Sequence, residues 1–157
     1  MDDVAIARAV HVLAIVVWIG GVAMVTTILL PASRRAGGDG PALFQTIERR
    51  FAGQARIATL VAGASGFYIA ERLDLWDRFG RIEYWWMAAM LGLWLLFTLV
   101  LFVAEPLFLD RWFCRRVVAD PLSALRLVQR LHWILLALSL VTIFGAVAGS
   151  HGLVLFG

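Results

Sequence analysis

Four long apolar runs, separated by short polar segments rich in arginine, pattern the chain at about residues 4–30, 51–70, 84–108 and 131–150. A helix needs roughly 20 apolar residues to cross the hydrocarbon core of a bilayer, so each run predicts one membrane-spanning helix. The first run carries Arg8 and His11 near its head and stops at Pro31, with Ala36-Gly37-Gly38-Asp39-Gly40-Pro41 as turn material. Residues 41–50 are polar but helix-compatible, with Phe44 and Ile47 on one face, and predict an interfacial helix leading into the second run. That run has Gln54 and Arg56 in its first turns, then Thr59, Ala62, Gly63 and Gly66 as a stripe of small residues at helical spacing.

Residues 71–83 mix both charge signs with Trp76 and Phe79 and read as a short amphipathic connector. Tyr84, Trp85 and Trp86 open the third run as an aromatic belt at a membrane surface, and Glu105-Pro106 closes it. After a connector bearing Arg111, Arg115 and Arg116, Asp120 fits as N-cap and Pro121 as first-turn residue of a final helix. Gly145 and Gly149 in that helix form a GxxxG pair suited to close helix contact.

Composition agrees with the pattern. The 157 residues are 62% hydrophobic and only 16% charged, against roughly 25% charged in soluble domains, and the mean hydropathy is +0.85. The expectation is an all-α integral membrane four-helix bundle, a single transmembrane domain over residues 1–157. The acidic start (Asp2, Asp3) and the length of the first run argue against a cleavable signal peptide. Cys114 is the single cysteine, which excludes an intramolecular disulfide and a Cys-based metal cage.

The arginines set the orientation. Connector regions one and three hold Arg34, Arg35, Arg49, Arg50, Arg111, Arg115, Arg116, Arg126 and Arg130, whereas Arg72, Arg78 and Arg81 in connector two are balanced by acidic residues. Connectors one and three are thus expected on the cytoplasmic side of a bacterial inner membrane, with both termini outside, in the periplasm. The net charge of +3 is orientation chemistry, not a nucleic-acid footprint.

Candidate chemistry centres on His11. A titratable side chain within a membrane span is costly and is a functional hypothesis by default. Trp18 follows two turns down the same face, and Gly20 and Gly21 leave room for a close backbone or a flat ligand. His151 is expected at the same outer depth as His11, while His132 lies nineteen residues earlier on the final helix, about 28 Å from His151. Imidazoles on facing helices are common axial ligands of haem b. Small residues at Gly20, Gly21, Gly63, Gly66 and Gly149 would flank the macrocycle, with Arg8 and Arg81 near its propionates. Histidines at helix ends also serve as interfacial hydrogen-bond donors, and glycine stripes as packing devices. A second candidate is a copper site built from His11, His151, Met87 and Met90, since thioether and imidazole ligands suit Cu(I). Arg56 and Glu105, at the inner ends of their spans, are placed to pair. No nucleophile, phosphate loop or paired-carboxylate arrangement falls in the apolar runs, so acyl transfer, glycosidase and ATPase chemistry have no support.

The segments His11…Trp18-Ile19-Gly20-Gly21, Ile47-Glu48-Arg49-Arg50-Phe51, Gly63…Gly66 and Arg130-Leu131-His132 resemble the CopD/HemJ group of small four-helix membrane proteins. The CopD side of that resemblance implies copper uptake across the inner membrane. The HemJ side implies haem b and protoporphyrinogen oxidation, with the essential first-helix histidine at His11. Leu29-Leu30-Pro31-Ala32-Ser33-Arg34 stands where HemJ proteins carry Tyr-His, and the chain has no lysine for their third-helix position. Those departures favour a haem-binding or electron-transfer relative over an oxidase proper. Three functions stay open. One is a haem b protein in electron transfer or porphyrin redox chemistry, an oxidoreductase or a partner of a larger membrane redox complex. The others are a copper-handling protein and a cofactor-free accessory subunit. The partners expected are the lipid bilayer and a larger complex or a second copy.

Overall fold

The computed structural model describes residues 2–153, with the side chain of Asp110 excepted. Among these residues there is no strand. The chain forms α1 (Asp2–Met24), α2 (Leu30–Arg35), α3 (Gly40–Arg72), α4 (Trp85–Leu99), α5 (Asp110–Ala119) and α6 (Pro121–Ser150). Two π-helical stretches, Val25–Leu29 and Val100–Leu109, join α1 to α2 and α4 to α5 without a break. Among the described residues three helical segments are long and apolar enough to cross a membrane: Asp2–Arg35, Ile82–Leu109 and Pro121–Ser150.

Long helical segments adjacent in sequence run antiparallel. Along α1 and α3, Asp3 meets Arg72, His11 meets Ala62 and Ser65, and Gly21 meets Phe51. Between α3 and the α4 segment, Thr59 faces Trp94 and Arg56 faces Leu101. Trp85 and Trp86, at the start of α4, lie against Gly145 and Gly149 near the end of α6. Arg34 beside Gln129 brings α6 back to the first helix. One core cluster draws on all four long segments, among them Trp18, Ala58, Phe97 and Leu136. A second gathers Leu30, Phe44, Phe113 and Leu125 at the arginine-rich end.

Three expected boundaries move. The first helix does not stop at Pro31 but continues to Arg35. The π turn over Val25–Leu29 interrupts the four-residue ladder just upstream, where Thr26 and Thr27 donate their hydroxyls to the carbonyls of Val22 and Ala23 at 2.6 and 2.7 Å. The interfacial helix expected at 41–50 and the span expected at 51–70 are one helix of 33 residues, α3, about 50 Å long. Its charged stretch at 48–50 causes no break, because Phe44 and Ile47 on the opposite face pack against Leu30, Phe113 and Leu125. The third segment runs on through Pro106 into α5. Elsewhere the local signals hold. Residues 76–84 form two short 3-10 turns, and the Asp120 side chain accepts from the Ser123 amide at 3.0 Å to cap α6. Gly37 turns the chain between α2 and α3 with φ of +63°, a left-handed conformation that glycine adopts without steric cost.

Candidate functional site

His11 is half-buried on the face of α1 that meets α3. Its Nδ1 lies 2.9 Å from the Ala62 carbonyl and 3.1 Å from the Ser65 hydroxyl oxygen. A carbonyl only accepts, so Nδ1 carries a proton, and in the neutral ring Nε2 keeps its lone pair. Ser65 uses its own proton on the Val61 carbonyl at 2.6 Å, which leaves its oxygen to accept from His11. The imidazole packs on Gly66, where a Cβ would stand 3.0 Å from Cε1. A side chain there would push the ring away from α3 by a few tenths of an ångström.

His132 and His151 also donate Nδ1 to carbonyls, those of Val128 at 2.9 Å and Val147 at 2.8 Å. Both acceptors are four residues back on the same helix. His11 differs in that its orientation is set by a partner helix, through tertiary structure.

The other expected ligand residues fall as follows. His151 is exposed at the end of α6, Met87 is buried in the first turn of α4, and Met90 is half-buried one turn on. Arg8 is exposed. Arg81 stands 3.5 Å from Glu83 and over the Tyr84 ring at 5.6 Å. Trp18 is 5% exposed in the core, edge-on to Phe97 with ring centroids 4.8 Å apart, and its Nε1 is buried without a protein partner. Among the described residues no three His, Cys, Asp or Glu side chains converge as a metal-binding group.

The small-residue faces are filled from within the chain. A Cβ on Gly21 would strike the Phe51 ring, and one on Gly149 the Trp86 indole. At Gly63 it would lie 2.5 Å from Trp94 Nε1, and at Gly145 2.5 Å from the Trp85 ring. Trp94 Nε1 donates to the Thr59 carbonyl at 2.9 Å, which locks the indole over Gly63. Of the five glycines expected beside a macrocycle, Gly20 alone faces open space. His11 Nε2 is the nitrogen that could ligate a haem iron, while the flat slots at Gly21, Gly63 and Gly149 are taken by aromatic rings.

Arg56 and Glu105 do pair, at 3.0 Å between Nη2 and Oε1. Arg56 Nε also donates to the Leu101 carbonyl at 3.0 Å. Sequence reasoning missed that second bond, and Pro106 was its signal. In a π-helix each N–H bonds the carbonyl five residues back, so the missing N–H of Pro106 leaves Leu101 without its donor. At the opposite end of the bundle Asp3 accepts from Tyr68 Oη at 2.9 Å and from Arg72 Nε and Nη2 at 3.0 and 2.7 Å. The hydrogen bond and charge of Asp3 raise the Arg72 pKa above its ordinary value.

No family model, no curated protein and no solved structure matches the chain.

Proposed function

We propose that the protein is a multi-pass protein of the bacterial inner membrane, CopD/HemJ-like in type, that binds haem b through His11 and serves electron transfer or porphyrin redox chemistry. The observation that carries this is the bond from His11 Nδ1 to the Ala62 carbonyl. Metal-bound imidazoles characteristically donate their other nitrogen to a carbonyl or carboxylate, which fixes the ring and makes the ligating nitrogen more basic. Bound haem would supply a one-electron couple whose potential depends on its axial ligands and on the polarity around it. His151 is the candidate second ligand, and Arg8 and Arg81 are the candidate propionate partners.

In the same proposal α3 is the fourth crossing. Pairing with Glu105 offsets the cost of placing Arg56 in lipid. The ends bearing Arg34, Arg35, Arg111, Arg115 and Arg116 face the cytoplasm, and both termini lie outside.

The test is a dithionite-minus-oxidised visible spectrum of detergent-purified protein from haem-supplied cells. A Soret shift with an α-band, lost in His11→Ala, is the expected result. A featureless wild-type spectrum, or an unchanged one in His11→Ala, overturns it, and metal analysis of the same sample then reads the copper alternative. The filled glycine faces favour a second reading, a cofactor-free accessory subunit whose small residues serve packing. That subunit would co-purify with a larger membrane complex and carry neither haem nor copper.

A further inference from the structure

At the arginine-rich end of the bundle a cavity of about 360 Å³ opens between α2 and α6, lined by Pro31, Arg34, Arg35, Leu122 and Arg126. Its volume falls within the usual range for small-ligand pockets, about 300–1,000 Å³. Three guanidiniums from two helices share this concave space, and among the described residues none of them is ion-paired. Arg34 is held in place by donating one N–H of Nη1 to Gln129 Oε1 at 2.8 Å, which leaves its other donors available. Leu122 and Arg126 lie in the first two turns of α6, at the positive end of its dipole. Asp120, six residues before Arg126, caps that helix by accepting from the Ser123 amide, and neither it nor Asp39, four residues after Arg35, forms an ion pair with the three arginines. Three like charges gathered without a counter-charge repel one another, and an anion bound among them relieves that repulsion.

The surroundings narrow the anion. Arg34 and Arg35 follow directly on the apolar run that ends at Leu29, Leu30 and Pro31, where the headgroup layer meets a membrane-crossing helix. Ile28, one turn before Ala32, is exposed on the outside of the bundle, and Leu122 is exposed at the cavity wall. The site therefore offers planar bidentate donors for phosphate oxygens beside apolar surface for what the phosphate carries. We propose that this cavity binds a phosphate group, either in the headgroup of an anionic phospholipid or as a free phosphate. The lipid source rests on the membrane placement above. The phosphate site itself does not depend on haem.

The experiment measures binding to the detergent-purified full chain, by native mass spectrometry and by thermal stabilisation. The probes are short-chain phosphatidylglycerol, short-chain phosphatidylcholine and inorganic phosphate. Saturable binding of phosphatidylglycerol but not of phosphatidylcholine identifies the lipid source, and saturable binding of inorganic phosphate identifies the free anion. R35Q/R126Q is expected to weaken either by roughly tenfold or more, given about a fivefold step per arginine at an anionic surface. R115Q/R116Q on α5, which removes equal charge away from the cavity, is expected to bind as wild type. L122W, which fills the cavity and keeps every charge, is expected to weaken binding as well. No saturable binding of either anion overturns the proposal. So does equal binding of phosphatidylcholine, an equal loss in both arginine pairs, or wild-type affinity in R35Q/R126Q and L122W.

Discussion

Arg56 on α3 donates to the backbone carbonyl of Leu101, the position five residues before Pro106 in a π-helical stretch. The arginine replaces, from another helix, the N–H that the proline lacks. Its charge is met by Glu105 one residue before the proline, so one side chain answers a backbone defect and forms an ion pair together. Such a substitution matters most in lipid, where water does not supply a missing donor.

A double-mutant cycle tests this relationship. Arg56→Gln is expected to lower Tm in detergent, at a cost of roughly 2 kcal/mol for the lost bond to the Leu101 carbonyl and the lost ion pair with Glu105. Pro106→Ala restores an N–H that competes for the Leu101 carbonyl. In that background Arg56→Gln is expected to cost less, with a coupling of about 1 kcal/mol. Additive effects would show that arginine and proline act independently.

The glycines separate into two groups. Gly63→Ala drives a Cβ into the Trp94 indole and breaks its bond to the Thr59 carbonyl, an expected loss of about 1–3 kcal/mol. Gly20→Ala meets nothing within 4 Å and gains up to about 1 kcal/mol of helix propensity. Thermal unfolding with tryptophan fluorescence distinguishes them, since only the first displaces an indole.

Histidine tautomers are readable by ¹⁵N NMR of selectively labelled protein above neutral pH. All three rings are expected to carry the proton on Nδ1, because each faces a carbonyl there. Loading with haem is expected to shift the Nε2 signal of His11 and leave that of His132 in place. A shift at His132 instead would move the ligand site into the interior of α6.

The contact of Asp3 with Tyr68 and Arg72 is solvent-exposed and is expected to matter little. Asp3→Asn should lower Tm slightly at low salt, with the difference vanishing at high salt. Asp120→Ala, which uncaps α6, is expected to cost about 1 kcal/mol at any salt concentration.

Much of this arrangement was legible in the residues themselves. Asp120-Pro121 announced the start of α6, and the charges at positions 56 and 105 foretold their pairing. What escaped was continuity and partnership. Pro31 and Pro106 read as stops because a four-residue ladder cannot pass a proline cleanly, whereas the wider π turn here carries the helix onward. The charges at 48–50 read as a surface segment because Phe113 and Leu125, which cover the opposite face, lie more than sixty residues away. Periodicity shows which face a glycine occupies, and it is silent on which ring will cover it. For the candidate site, the sequence singled out His11, while its setting on Ala62 and Ser65 required the register of α1 against α3.

The five filled glycines bear on how this chain can change over generations. Each is half of a lock whose other half is Phe51, Trp94, His11, Trp85 or Trp86. Enlarging the glycine requires shrinking or turning its partner, and shrinking the ring alone opens a void beside an empty Cβ position. The two halves therefore drift together or not at all. In diverging copies of this chain, position 63 should be correlated with 94, 145 with 85, and 66 with 11, and the helix contacts should be inherited as pairs.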